Sequence, residues 1–162
     1  MFYTVDDNGK ITASAKFKWA DNCLETDKEI LRAYDGGLYF AEDVPTKPLD
    51  QLKEERKSEL SAARDAKIDS GFEFNGNRFY ADKGSKGDLV FAILAYQTTG
   101  KLPTEWKGID VIIPITTIED LMGLATANGL FIEATYNTYF NYFTQIEACT
   151  TNAQCEALEF VF

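Results

Sequence analysis

From Ile118 to Ile146 apolar residues return three or four positions apart, at Ile118, Leu121, Ala125, Ile132, Tyr136, Tyr139, Phe143 and Ile146, with a single seven-residue step. That spacing predicts one amphipathic helix. It starts at Thr116 or Thr117, hydroxyl residues suited to an N-cap, with Glu119 and Asp120 in a first turn that favours carboxylates. Unbroken to Ala148, such a helix has about thirty residues and spans roughly 45 Å. A rod of that length in a chain of 162 residues is expected in a bundle, a coiled coil or a subunit seam. A homo-oligomer formed through this helix is therefore one expectation. Asn128-Gly129 crosses the stripe, costs about 1 kcal/mol for the glycine, and predicts a kink or a close helix contact.

The rest of the chain is punctuated by turns. Phe2 to Val5, a turn cluster at Asp6-Asp7-Asn8-Gly9, and Ile11 to Phe17 predict a β-hairpin. Glu29 to Ala33 and Leu38 to Ala41, joined through Tyr34-Asp35-Gly36-Gly37, predict another. Pro45 and Pro48 then read as a stiff linker that closes a small β unit, residues 1–45. Leu49 to Ser70 is a run of helix formers with a thin apolar face, stopped by Gly71. Asn75-Gly76, between Phe72-Glu73-Phe74 and Asn77-Arg78-Phe79-Tyr80, is a strong type I′ hairpin signal. A helix follows over about Ser85 to Thr98, with Leu89, Ile93 and Tyr96 on one face. Trp106 and Val111 to Ile113 suggest a further short hairpin, and Ala153 to Glu159 a terminal helix. The fold class is α+β: an N-terminal β unit, then a helix–hairpin–helix–hairpin–long-helix domain over 46–162.

Composition removes several kinds of chemistry. There is no histidine, which excludes triads and dyads that need an imidazole, most zinc sites and a histidine pH switch. Sixteen Lys and Arg against 26 Asp and Glu give a net charge of −10, which argues against nucleic acid and anionic membranes as partners. At 45% hydrophobic residues the chain folds rather than staying disordered. No stretch approaches the ~20 apolar residues of a membrane span, and Met1-Phe2-Tyr3 lacks the basic and apolar regions of a signal peptide, so the cytoplasm is the expected compartment. Cys23, Cys149 and Cys155 are too few and odd in number for a disulfide framework, although Cys149 and Cys155 could pair across a turn; reduced thiols, in the core or at the surface, are the simpler expectation.

Candidate chemical motifs mostly fail on spacing. Asp6-Asp7-Asn8-Gly9-Lys10 begins like a calcium loop, but its sixth and twelfth positions are Ile11 and Phe17 rather than Gly and Glu. Lys83-Gly84-Ser85-Lys86-Gly87 misses the phosphate-loop pattern and reads as the start of a helix. The paired carboxylates Asp6/Asp7, Glu54/Glu55 and Glu119/Asp120 are sequence neighbours, so on a helix they point about 100° apart and do not converge. Neither Cys149 nor Cys155 has the surroundings of a nucleophile. An enzyme built on carboxylates alone would need two acidic side chains meeting in one concave pocket. The expectation is no catalytic residue, no metal and no cofactor.

Tyr136-Asn137-Thr138-Tyr139-Phe140-Asn141-Tyr142-Phe143 holds five rings in eight residues. Tyr136, Tyr139, Phe140 and Phe143 can share one face, which suits either core packing or a partner interface. These four are the candidate contact residues, with Tyr39 and Phe79 added as exposed aromatics flanking turns.

Arg64-Asp65-Ala66-Lys67-Ile68-Asp69-Ser70-Gly71-Phe72, followed by the Asn75-Gly76 hairpin and Asp82, resembles a C-terminal domain family common in tailed-bacteriophage and prophage proteins. The similarity runs on through the Ser85 helix, Leu102-Pro103, Trp106, Val111 to Ile113, the Thr117 helix and Thr150-Thr151…Glu156-Ala157-Leu158, over roughly 50–160. Asp35-Gly36-Gly37-Leu38-Tyr39 with Pro45 and Pro48 is similar to the N-terminal part of phage tail-fibre assembly proteins. The resemblance implies non-catalytic binding to a tail-fibre, receptor-binding or baseplate protein, as an assembly chaperone in the host cytoplasm or as a component retained in the virion tail. It carries no catalytic residues. The alternative is a small acidic inhibitor of a host defence nuclease, against which Lys53, Arg56, Lys57, Arg64 and Lys67 count by interrupting the acidic helix.

Overall fold

The structure is a computed structural model that describes residues 1–7, 10–15 and 24–162. The chain divides into two compact units, Met1–Pro48 and Leu49–Phe162. Asn8 and Gly9 of the first turn, the end of the second expected strand at Phe17, and Cys23 lie outside the described residues.

The first unit is one antiparallel sheet. Strands β1 (Phe2–Val5), β2 (Ile11–Ala15), β3 (Leu24–Glu25), β4 (Ile30–Arg32) and β5 (Leu38–Phe40) lie in the order β3-β1-β2-β5-β4. Both expected hairpins are present: Tyr3 faces Ser14 across β1 and β2, and Leu31 faces Tyr39 across β4 and β5. Gly36, at φ +79, turns the second one, and Asp35 accepts from the Gly37 N–H at 2.8 Å. β3 is an addition that its two-residue length hides from any periodicity argument.

The second unit carries α1 (Leu49–Asp69), the hairpin β6–β7 (Phe72–Phe74 and Asn77–Phe79), α2 (Lys83–Thr99), the hairpin β8–β9 (Glu105–Lys107 and Ile112–Pro114), α3 (Ile118–Ala148) and α4 (Asn152–Glu156). With the sheet of the first unit this is the α+β order expected. Asn75 at φ 50 and Gly76 at φ 74 supply the two left-handed residues of the tight turn between β6 and β7. Asp82 caps α2 by accepting from the Gly84 and Ser85 N–H groups, and Gly100 ends it in the left-handed region. Thr117 and Asp120 form a capping box at the start of α3.

α3 is 31 residues long and continuous through Asn128-Gly129, about 46 Å at 1.5 Å per residue. The expected close helix contact at Gly129 is absent, since a Cβ placed there would meet nothing within 4 Å. The length lets one helix serve two cores. Its first half packs Leu121 and Leu124 against Phe72, Phe79 and Leu89 from the hairpin and α2. Its second half packs Ile146 against Leu52 and Leu60 of α1 and Cys155 of α4, with Phe160 and Phe162 of the tail alongside. Cys149 and Cys155 are both free thiols buried in this second core. Burial raises the Cys155 pKa, and the neighbouring Cys149 raises it further. No helix is long and apolar enough to cross a membrane among the described residues.

Candidate functional site

The basic residues of α1 face α3 and the tail, and Lys57, Arg64 and Lys67 lie on aromatic rings of α3. Lys53 donates to the Glu147 carbonyl at 2.7 Å, Arg64 sits 4.7 Å from the Tyr139 ring centre, and Lys67 sits 5.7 Å from that of Phe131. Early α1 thus meets late α3, and the two helices run antiparallel. Lys57 lies 5.3 Å from the Phe143 ring and pairs with Glu147 at 2.5 Å, which raises the lysine pKa and lowers that of the carboxylate. Arg56 bonds the Leu158 carbonyl and covers the Phe160 ring at 4.3 Å, fixing the tail. Cation–π contacts of this kind contribute about 0.5–1 kcal/mol each where solvent reaches them. The thin apolar face of α1 is thereby supplemented by cations laid on rings.

This packing sorts the expected contact residues. Tyr136, Tyr139, Phe140 and Phe143 do form one run of rings, with Tyr139 5.4 Å from Phe140 and 6.2 Å from Phe143. Tyr139 and Phe143 are half-buried under the α1 cations; Tyr136 also lies under Arg64, at 5.5 Å, and is 37% exposed, while Phe140 is 58% exposed. Tyr39 is half-buried, and its hydroxyl donates to Asp35 at 2.8 Å; the Gly37 N–H first, and this hydroxyl after it, hold the Asp35 carboxyl below its ordinary range.

Phe79 is a correction. It is 1% exposed, so it offers nothing to a partner. The register explains why: Phe72 stands opposite Phe79 and Glu73 opposite Arg78, so the two phenylalanines share the inner face of the hairpin and the charged pair the outer one. Their ring centres are 5.8 Å apart within the first core.

A second surface escapes a reading that looks for one apolar face per helix. Leu89, Ile93 and Tyr96 mark the inner face of α2, yet Val90, Phe91 and Leu94 lie on its opposite side in solvent, Phe91 at 74% exposure. Lys83, Lys86 and Gly87 complete this shallow groove. The signal was in the sequence, since a helix with Leu89-Val90-Phe91 and Ile93-Leu94 is apolar on two sides and one side must remain uncovered by its own core. On α3, Met122 and Leu130 are exposed as well, Leu130 at 62%. Isolated exposed apolar residues are ordinary, but groups rimmed by polar side chains mark interaction sites.

A cleft beside the start of α2 is lined by Tyr80, Ser85, Asp88, Glu105, Trp106 and Lys107. It does bring two carboxylates, Asp88 and Glu105, to one hollow, and both face water. Among the described residues no group of three His, Cys, Asp or Glu side chains is placed to hold a metal ion.

Fold and surface together define an α+β domain with uncovered apolar helix faces. Residues 51–160 match the domain of unknown function DUF4376, and the chain belongs to that family. No curated protein and no solved structure matches it.

Proposed function

We propose that this chain is a non-catalytic binding protein of tailed-bacteriophage tail-fibre assembly, acting on a fibre, receptor-binding or baseplate protein. It works in the host cytoplasm while fibres assemble, and in the virion tail if it stays attached. The observation that carries the binding role is the exposed apolar group Val90, Phe91 and Leu94 on α2, to which Met122, Leu130 and Phe140 add separate exposed apolar positions along α3 and Tyr136 a partly exposed ring beside Arg64. The link to fibres rests on the sequence resemblance of residues 35–48 and 50–160. As a chaperone the protein lays these residues against apolar β-rich fibre chains and keeps the chains apart until they trimerise; its charge of −10 keeps the complex dispersed.

An affinity-tagged chain expressed with its fibre protein tests the proposal. The fibre protein is expected to co-purify, and Phe91→Glu and Phe140→Glu to reduce the yield at least tenfold without loss of helical content. Recovery of a nuclease in place of fibre protein would reverse the reading in favour of the inhibitor.

A further inference from the structure

We infer that the cleft between the start of α2 and the β8–β9 hairpin binds a neutral carbohydrate. The hollow holds about 320 Å³, space for about ten waters at roughly 30 Å³ each and within the range of small-ligand sites. Two of its six lining residues, Tyr80 and Trp106, are aromatic. Trp106 is half-buried because it packs partly against the first core, so its ring is held by the fold.

The polar groups around these rings have no other employment. Among the described residues, the side chains of Tyr80, Asp88, Glu105, Trp106 and Lys107 make no hydrogen bond or ion pair. Ser85 gives its proton to Asp82 at 2.7 Å, which leaves its oxygen as an acceptor. Neighbours along β8 alternate sides, so the half-buried Trp106 ring belongs to the wall while the exposed Glu105 and Lys107 side chains reach the cleft from its rim; with Asp88 and Tyr80 from the other side, they supply acceptors, a donor and a phenol able to do either.

Charge and shape then select the ligand class. Asp88 and Glu105 in a chain of net charge −10 repel phosphates and carboxylates. Lys107 opposes the purely cationic guest that rings and carboxylates would otherwise favour. What remains is a neutral molecule with hydroxyls that both give and take hydrogen bonds and with a C–H face that lies on an aromatic ring. A sugar has both properties. The frame is already fixed, because Asp82 caps α2, the Gly108 N–H bonds Val111 at 2.7 Å and the Ile109 N–H bonds Arg78 at 2.8 Å, so little ordering is needed on binding. This inference does not depend on the fibre-assembly role.

The test is a titration of the full ¹⁵N-labelled chain by amide NMR with glucose, galactose, N-acetylglucosamine and a linear oligosaccharide, with choline and inorganic phosphate as charged probes. Saturable shifts confined to residues 80–88 and 105–108, for at least one sugar and for neither charged probe, are the expected result. Glu105→Gln and Tyr80→Ala, both at exposed positions, should each weaken that sugar about tenfold, as the loss of one good contact implies, while leaving the rest of the spectrum in place. No saturable shift with any sugar, or a stronger response to choline or phosphate, would overturn the assignment. Release of reducing ends from the oligosaccharide would keep the site and overturn the non-catalytic reading above.

Discussion

Gly71→Ala is expected to be the most damaging of the conservative glycine changes, for two separable reasons. Gly71 follows α1 at φ +79, and a Cβ there would collide with the Phe79 carbonyl oxygen and lie 2.7 Å from Ile109 Cδ1. The left-handed conformation costs an alanine about 1–2 kcal/mol. Forcing a methyl into a packed junction costs about 1–3 kcal/mol more, and here part of the obstacle is backbone, which cannot rotate away. Against these, alanine stiffens the unfolded chain and returns about 0.4–1 kcal/mol. The net loss is about 2–4 kcal/mol. Two controls separate the contributions. Gly76 has φ +74 but open space, so Gly76→Ala should cost only about 0.5–1 kcal/mol. Gly108 lacks the positive φ, but its Cβ would lie 2.5 Å from the Arg78 carbonyl oxygen, so Gly108→Ala should cost about 1–2 kcal/mol. Urea unfolding followed by helical circular dichroism reports on the right unit, because among the described residues every α-helix lies in Leu49–Phe162, and the slope should not change if only stability does. A Gly71→Ala loss no greater than that of Gly76→Ala would refute the close junction between α1, the first hairpin and Ile109.

Asn128 is 2% exposed, and neither its amide nitrogen nor its oxygen finds a partner among the described residues; Asn128→Leu should therefore stabilise the domain by about 1–3 kcal/mol, and a loss on urea unfolding would mean the amide is satisfied. Gly129→Ala should add up to about 1 kcal/mol in the same assay, because the helix gains a better former and a Cβ has open space. Asp120 is held below its ordinary pKa by the Thr116 hydroxyl at 2.8 Å, with the Thr117 and Thr116 N–H groups adding to it. Its folded value is depressed, so the stability it contributes is complete above the ordinary carboxylate pKa of about 4 and fades as pH falls through the lowered value. The gap between wild type and Asp120→Ala should be widest near neutrality and should close in acid; a gap that grows in acid would contradict the cap.

The sequence carried the element order because each element has a local cause. Asn75-Gly76 dictates its turn, Asp82 and Thr117 cap their helices, and the three-and-four spacing dictates α3. Burial of individual side chains was less legible, since it depends on pairings distant in sequence. Phe79 lies beside a turn and still belongs to the core because Phe72 faces it across the hairpin. The lysines and arginines of α1 read as interruptions of an acidic helix, yet Lys57, Arg64 and Lys67 lie on the rings of Phe143, Tyr139 and Phe131, far along the chain on α3. Of the expected contact residues, Tyr136 and Phe140 remain available, and the outer face of α2 joins them. That face was visible in Val90, Phe91 and Leu94, but only once the inner face had been assigned to the core.

The proposed service of the exposed α2 and α3 residues to a fibre protein is tested most directly by the yield of soluble fibre trimer on co-expression. With the wild-type chain present the soluble trimer should rise several-fold over fibre expressed alone. With Phe91→Glu, at a position already in solvent and outside both cores, it should fall back towards the level without the protein. Equal trimer yield with and without the wild-type chain would contradict the account.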